Sequence, residues 1–211
     1  MMLVWRQLYQ QSPEATSRAA GSSRSGGPRL TCAVVAVDDL TPEQLSRRRA
    51  ALDQVRKYGD PVLRERAREI PEVDGAVRAQ IARMRTLLEE AMEAGLAANQ
   101  VGILNRVFVY RSEPDAPVRA LVNPMIEWAS EETEPAEEGC LSIPGIWIEV
   151  ERPVAVRVAG LDEDGEPVVI EAEMPEARVL QHELDHLDGV LTLDRTTPEQ
   201  RKAALRELRM R

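Results

Sequence analysis

The chain has little of what marks a secreted, membrane-spanning or nucleic-acid-binding protein. Its two cysteines, Cys32 and Cys140, fall in unrelated contexts and make no disulfide framework, which fits a reducing compartment and leaves Cys140 as a free thiol. No apolar run approaches the ~18–20 residues that a membrane helix needs. The formal net charge of -9 argues against a surface built to neutralise phosphates, so no direct nucleic-acid ligand is expected. Lysine occurs only at Lys57 and Lys202 against many arginines, which points to a GC-rich source. With no apolar core for a secretory signal, the expected location is a bacterial cytoplasm. Histidine is as scarce as cysteine: the chain has His182 and His186 and no other.

A length of 211 residues suits one core with an appendage. Residues 1–40 include "SRAAGSSRSGGPR", with Glu14 the only acid before Asp38, and read as a disordered extension, dispensable or the product of an early start codon. Their Arg/Ser bias also fits an organellar transit peptide, the secondary reading. Residues 41–211 are expected to form a single domain.

Thr41-Pro42-Glu43-Gln44 has the pattern of a capping box and predicts a short Arg-rich helix to about Val55. The same four residues recur at Thr197, heading a C-terminal helix through about Met210. Between them, 76–94 places Val77, Ile81, Met84, Leu88, Ala91 and Met92 at helical spacing, with Asp74 as the cap. "RVFVYR", "RALVNP", "IWIEVE", "VAVRVAG" and "PVVIEAEM" read as strands, and "DEDGEP" as a hairpin turn. A helical run through "EARVLQHELDHL" follows. This order predicts an α+β fold with antiparallel strands.

Residues four apart share one helix face, so His182 and His186 can direct both imidazoles at one ion. Glu183 points about 100° round the helix, towards a metal-bound water rather than the ion. The competing reading is an amphipathic helix burying Val179, Leu180, Leu184 and Leu187. Packing explains those residues but not why both histidines of the chain flank a glutamate at this spacing. By chance that would occur on the order of once in several hundred chains. A catalytic site of this type takes three protein ligands, and no third histidine exists. Glu199, Glu207 and Cys140 are the candidates. Buried core is the commoner fate of a lone cysteine. The incomplete site reverses that preference, and Cys140, His182 and His186 are taken as the triad.

Three stretches in register, "GLAANQVG" (95–102), "EGCLS" (138–142) and "QHELDHLDG" (181–189), closely resemble the signature motifs of the peptide deformylases. "VRKYGDPVLRERA" (55–67) is similar to the N-terminal segment of that family, and the resemblance spans about 54–208. It implies antiparallel sheets packed around a central helix carrying the HExxH motif. The implied activity is a metallohydrolase acting on a linear amide, which removes formyl from the N-terminal formylmethionine of nascent chains and releases formate. The implied partner is the nascent peptide, met at the ribosome exit. By the same resemblance one divalent metal binds per chain, Fe(II) in the cell with Zn(II) or Ni(II) as substitutes. Glu183 would be the general base, while the Gln100 side-chain amide and the Leu141 backbone N–H would meet the developing oxyanion. Gly95 and Gly139 would hold the substrate backbone, with Ala94 beside it. Glu138 and Arg152 match a pair that braces the cysteine segment; the alternative is two solvated charges on a strand pair. Asp185 either orients a ligand histidine or caps its helix.

One departure stands out. The family pattern begins Gly-hydrophobic-Gly, whereas this chain has Glu93-Ala94-Gly95, which implies a longer helix or a reshaped loop beside the substrate. Ala94 is small and would widen the methionine pocket. Two rival functions share these residues: an HExxH metallopeptidase with another third ligand, and a non-catalytic binding protein with the deformylase fold.

Overall fold

A computed structural model describes residues 40–210; the expected extension over residues 1–40 lies outside them except for Leu40, which is buried. The first helix, α1 (Pro42–Leu52), begins with the anticipated box: Gln44 N–H donates to Thr41 Oγ1 at 3.2 Å and Thr41 N–H to Gln44 Oε1 at 2.9 Å. It stops three residues short of Val55. Beyond it the backbone is claimed by other segments, Arg56 N–H by the Gln100 carbonyl (2.7 Å) and Tyr58 N–H by that of Ser142 (2.8 Å).

Helix α2 (Gly75–Ala91) starts where Asp74 accepts from Val77 N–H at 2.9 Å. It buries Val77, Ile81, Met84, Leu87, Leu88 and Ala91 along one stripe, as the periodicity predicts. It ends at Ala91 rather than Ala94, because Met92 takes a left-handed conformation at φ 59°. The longer helix is therefore not formed, and Glu93-Ala94 lie in the connection to the next strand.

The strands are β1 (Gly95–Ala97), β2 (Val107–Tyr110), β3 (Arg119–Ala129), β4 (Thr133–Cys140), β5 (Ile143–Pro153), β6 (Ala155–Leu161) and β7 (Pro167–Glu173). They form an antiparallel five-stranded sheet in the order β1-β2-β3-β6-β7 and a separate β4–β5 hairpin. Strand β4 escaped the sequence patterning. "TEPAEEGC" has few strand formers, and its pairing with β5, register Glu134↔Arg152 through Gly139↔Trp147, holds it extended. "DEDGEP" turns β6 into β7, with Gly165 at φ 88°.

Helix α3 (Glu176–Leu187) carries both histidines and contacts β1, β2, β6 and β7 of the sheet as well as β5 of the hairpin. The architecture is thus α+β, with antiparallel sheets gathered around the motif helix. Helix α4 (Pro198–Met210) follows Thr197, whose Oγ1 accepts from Gln200 N–H at 3.3 Å. Ala204, Leu205 and Leu208 join Ile146, Ile148 and Val150 of β5 in an apolar cluster. Among the described residues no helix is long and apolar enough to cross a membrane.

Candidate metal centre

His182 and His186 lie one turn apart on α3, and Cys140 ends β4 where the chain turns through Leu141–Ser142 into β5. The hairpin turn delivers the thiol to the helix face. Cys140 Sγ lies 3.2 Å from His186 Nε2, and one ligand atom from each of the three residues falls within 4.8 Å of the others. Neither Glu199 nor Glu207 belongs to that group. Burial alone would raise the Cys140 thiol, but His186 and His182 outweigh it and hold the pKa well below the usual thiol range. A thiolate with two imidazoles suits a borderline divalent ion, so these residues fit the metal.

His182 Nδ1 meets Glu138 Oε2 at 2.9 Å, which turns its Nε2 edge towards Cys140. Glu138, 4% exposed, also accepts from Arg152 Nε (2.9 Å) and Nη2 (3.0 Å) and from Arg178 Nη1 (3.0 Å). Burial would raise this carboxyl; Arg152 and His182 prevail and hold it well below the usual carboxylate range. The Asp185 carboxylate hydrogen-bonds to neither imidazole. It accepts from Arg152 Nη1 (2.6 Å) and from Arg195 Nη2 (2.5 Å) and Nε (3.1 Å). Glu138, then, is the carboxylate that orients a ligand histidine, and Asp185 braces Arg152 from the other side.

Glu183 is 3% exposed and flanked by Gly95, where an added Cβ would overlap its carboxylate; glycine is required by this close approach. Among the described residues its Oε2 has no hydrogen-bond partner, and burial pushes the carboxyl up to about 7 against the opposing pull of His182 and His186. Gln100 sits in a 3-10 turn (Ala98–Val101) directly after β1. Its Oε1 accepts from Ala97 N–H at 2.9 Å, which fixes Nε2 towards Ser142 Oγ (3.3 Å) and Cys140 Sγ (3.9 Å). The segment anticipated over 55–67 ties these parts together. Besides the two backbone bonds of Arg56 and Tyr58, Lys57 Nζ donates to the Leu141 carbonyl at 3.2 Å.

Glu93, Ala94, Gly95, Gln100, Gly139, Cys140, Leu141, Val179, His182 and Glu183 line one cleft, so every expected ligand, base and substrate position except His186 opens on it. Arg178 lines it too, with Nη1 also on the Val150 carbonyl (2.8 Å) and Nη2 on that of Glu134 (2.6 Å). Sequence reasoning missed Arg178, Arg195 and Asn99, whose Nδ2 bonds the His186 carbonyl. Arg178 precedes His182 by one helical turn, the spacing that could have marked it.

A family model described as polypeptide deformylase matches residues 52–202. Peptide deformylase 1 of Corynebacterium glutamicum is 46% identical over 161 residues, covering 75% of this chain and 95% of that protein. The chain belongs to the polypeptide deformylase family. The peptide deformylase of Thermotoga neapolitana is 49% identical over 148 residues, 70% of this chain and 89% of its own. Among solved structures, the Synechococcus elongatus peptide deformylase in complex with actinonin aligns with a TM-score of 0.69 and 39% identity, covering 72% of this chain and 85% of that one. The Legionella pneumophila peptide deformylase gives 0.70 and 34%, with 74% and 92% covered. In this deformylase-family chain the matched region contains all three candidate metal ligands, and the departure at Glu93-Ala94 lies in the wall of the cleft.

Proposed function

We propose that this chain hydrolyses the formyl amide of N-terminal formylmethionine on nascent polypeptides, giving formate and a free amino terminus. The observation that carries this reading is convergence. A Cys-His-His donor set, an unpartnered buried carboxylate oxygen on Glu183 and an oriented amide donor on Gln100 share one cleft.

When bound by Cys140, His182 and His186, the divalent ion supplies Lewis acidity and an activated water at neutral pH. The family resemblance favours Fe(II), with Zn(II) and Ni(II) as substitutes. Glu183, poised near neutrality, accepts the proton released on attack and returns one to the leaving amine. Gln100 Nε2 and the Leu141 N–H donate to the formyl oxygen as it gains charge, a contact stronger in the transition state than in the ground state. Gly95 and Gly139 offer main chain that can pair with an extended peptide, and Ala94 and Val179 border the space left for the methionine side chain. Glu138, Arg152, Arg178 and Asp185 hold His182 and the cysteine strand in place. The expected setting is a bacterial cytoplasm, with chains met as they leave the ribosome, and residues 41–211 act as one catalytic domain.

Protein prepared anaerobically with Fe(II) is expected to release formate from formyl-Met-Ala-Ser. Glu183→Gln should lower that rate by roughly 10²–10⁴-fold while leaving metal content unchanged. Loss of metal dependence, an unaffected Glu183→Gln rate, or cleavage of internal peptide bonds in place of formate release would overturn the assignment.

A further inference from the structure

Helix α1 lies almost entirely ahead of the family match at residues 52–202, yet it touches a residue that lines the cleft. Its Arg48 is only 8% exposed. Nε donates to the carbonyl of Ala91, the last residue of α2, at 3.1 Å, and Nη2 to Glu93 Oε1 at 3.2 Å. One guanidinium therefore grips both sides of the left-handed turn at Met92. That turn leads directly into β1 and Gly95.

Glu93 occupies a partition. It lines the main cleft beside Gly95 and Gln100, and it also lines a second recess with Gly145, Ile146 and Trp147. A carboxylate is a costly residue for such a wall. Burial pushes the Glu93 carboxyl up to about 7 even against the pull of Arg48. Released from Arg48, the side chain could regain solvation by turning towards the open cleft, over the strip where a peptide would lie along Gly95.

We infer that Arg48 is a positioning residue for substrate: by holding Glu93 against the partition it keeps clear the strip beside Gly95 in which the peptide backbone binds. This rests on the deformylase reading above and extends it, since it makes α1 part of the substrate-binding apparatus of this chain. Arg48 acts through Glu93 and contributes nothing to the bond-breaking step.

Three variants test this: Arg48→Met, Glu93→Gly and the double variant. For formyl-Met-Ala-Ser, Arg48→Met is expected to raise KM about tenfold with kcat within about twofold, the signature of lost binding common to ground and transition states. Titration calorimetry with the unformylated peptide Met-Ala-Ser should show a matching loss of affinity without any turnover. Glu93→Gly in the Arg48→Met background should restore both values to within about threefold of the parent, because the displaced carboxylate is gone. An Arg48→Met protein that folds and keeps its KM, or a double variant as impaired as Arg48→Met, would overturn the inference. Should Arg48→Met not fold, Arg48→Lys with and without Glu93→Gly decides by the same restoration. If the parent released no formate, the assigned reaction would fail, while the peptide-binding comparison would still judge Arg48.

Discussion

Helices α2 and α3 both pack on the core, but they bury different chemistry. Along α2 the buried residues are all apolar and lie on one stripe. On α3 Arg178, Gln181, Glu183, Asp185 and His186 are buried along with Ala177, Val179, Leu180, Leu184 and Leu187. An apolar stripe needs only a complementary surface, whereas each buried polar group needs a partner, since leaving one unpaired costs roughly 1–3 kcal/mol and more for a charge. The partners of α3 sit on other elements: Arg152, Glu138 and the Val150 carbonyl on the β4–β5 hairpin, and Arg195 beyond the helix. Helix α2 thus holds to the sheet through area, and α3 holds to the hairpin through matched charges. The consequence is that the hairpin bearing Cys140 and the helix bearing His182 and His186 cannot shift independently.

The sharpest way to break this contrast is Arg152→Met. It leaves Glu138 and Asp185 buried with fewer counter-charges and should destabilise by about 3–5 kcal/mol in chemical denaturation at pH 7, with metal affinity reduced as well. The sign with pH is fixed by Glu138. Its carboxyl is depressed in the folded protein, so its stabilisation is present above the ordinary glutamate range and is lost as pH falls through the lower folded value. In the variant Glu138 can take up a proton sooner, and the destabilisation should be smaller at pH 4 than at pH 7. A destabilisation equal at both values would mean that the network contributes by packing alone.

Next in size is Leu88→Ala on α2, whose fully buried side chain should be worth about 2–5 kcal/mol, independent of pH and with metal affinity of the folded protein unchanged. The smallest effect belongs to the cap. Asp74→Ala removes the acceptor for Val77 N–H and should lower stability by about 1 kcal/mol, with no change in formate release below the melting range. A change in KM from either α2 variant would show that the two helices are coupled more tightly than their contacts imply.

Much of the architecture was legible along the chain. The α2 stripe, the capping box at Thr41, the side-chain cap at Thr197 and the β6–β7 turn are local patterns, and each appears where its residues imply it. Strand β4 was not legible, because "TEPAEEGC" carries no strand signal of its own and is extended by its pairing with β5. The ends of α1 and α2 shifted for the same kind of reason, bonds from distant segments at Arg56 and Tyr58 and a left-handed residue at Met92. At the site, the HExxH spacing and the shortage of histidines pointed to Cys140. Arg178 and Asn99 were missed because their partners are remote in sequence, and Arg195 because its bond to Asp185 forms only once the chain turns back after the helix.

By itself, then, the sequence determined the donor types, their order and the helix that spaces two of them, since helical periodicity and residue chemistry are local properties. The tertiary structure decided which carboxylate orients His182, choosing Glu138 over Asp185, and it drew Arg48 of α1 to the wall of the cleft. Those outcomes depend on pairing buried charges across elements far apart in the chain, and the strength of such pairing is set by distance and desolvation in the folded state.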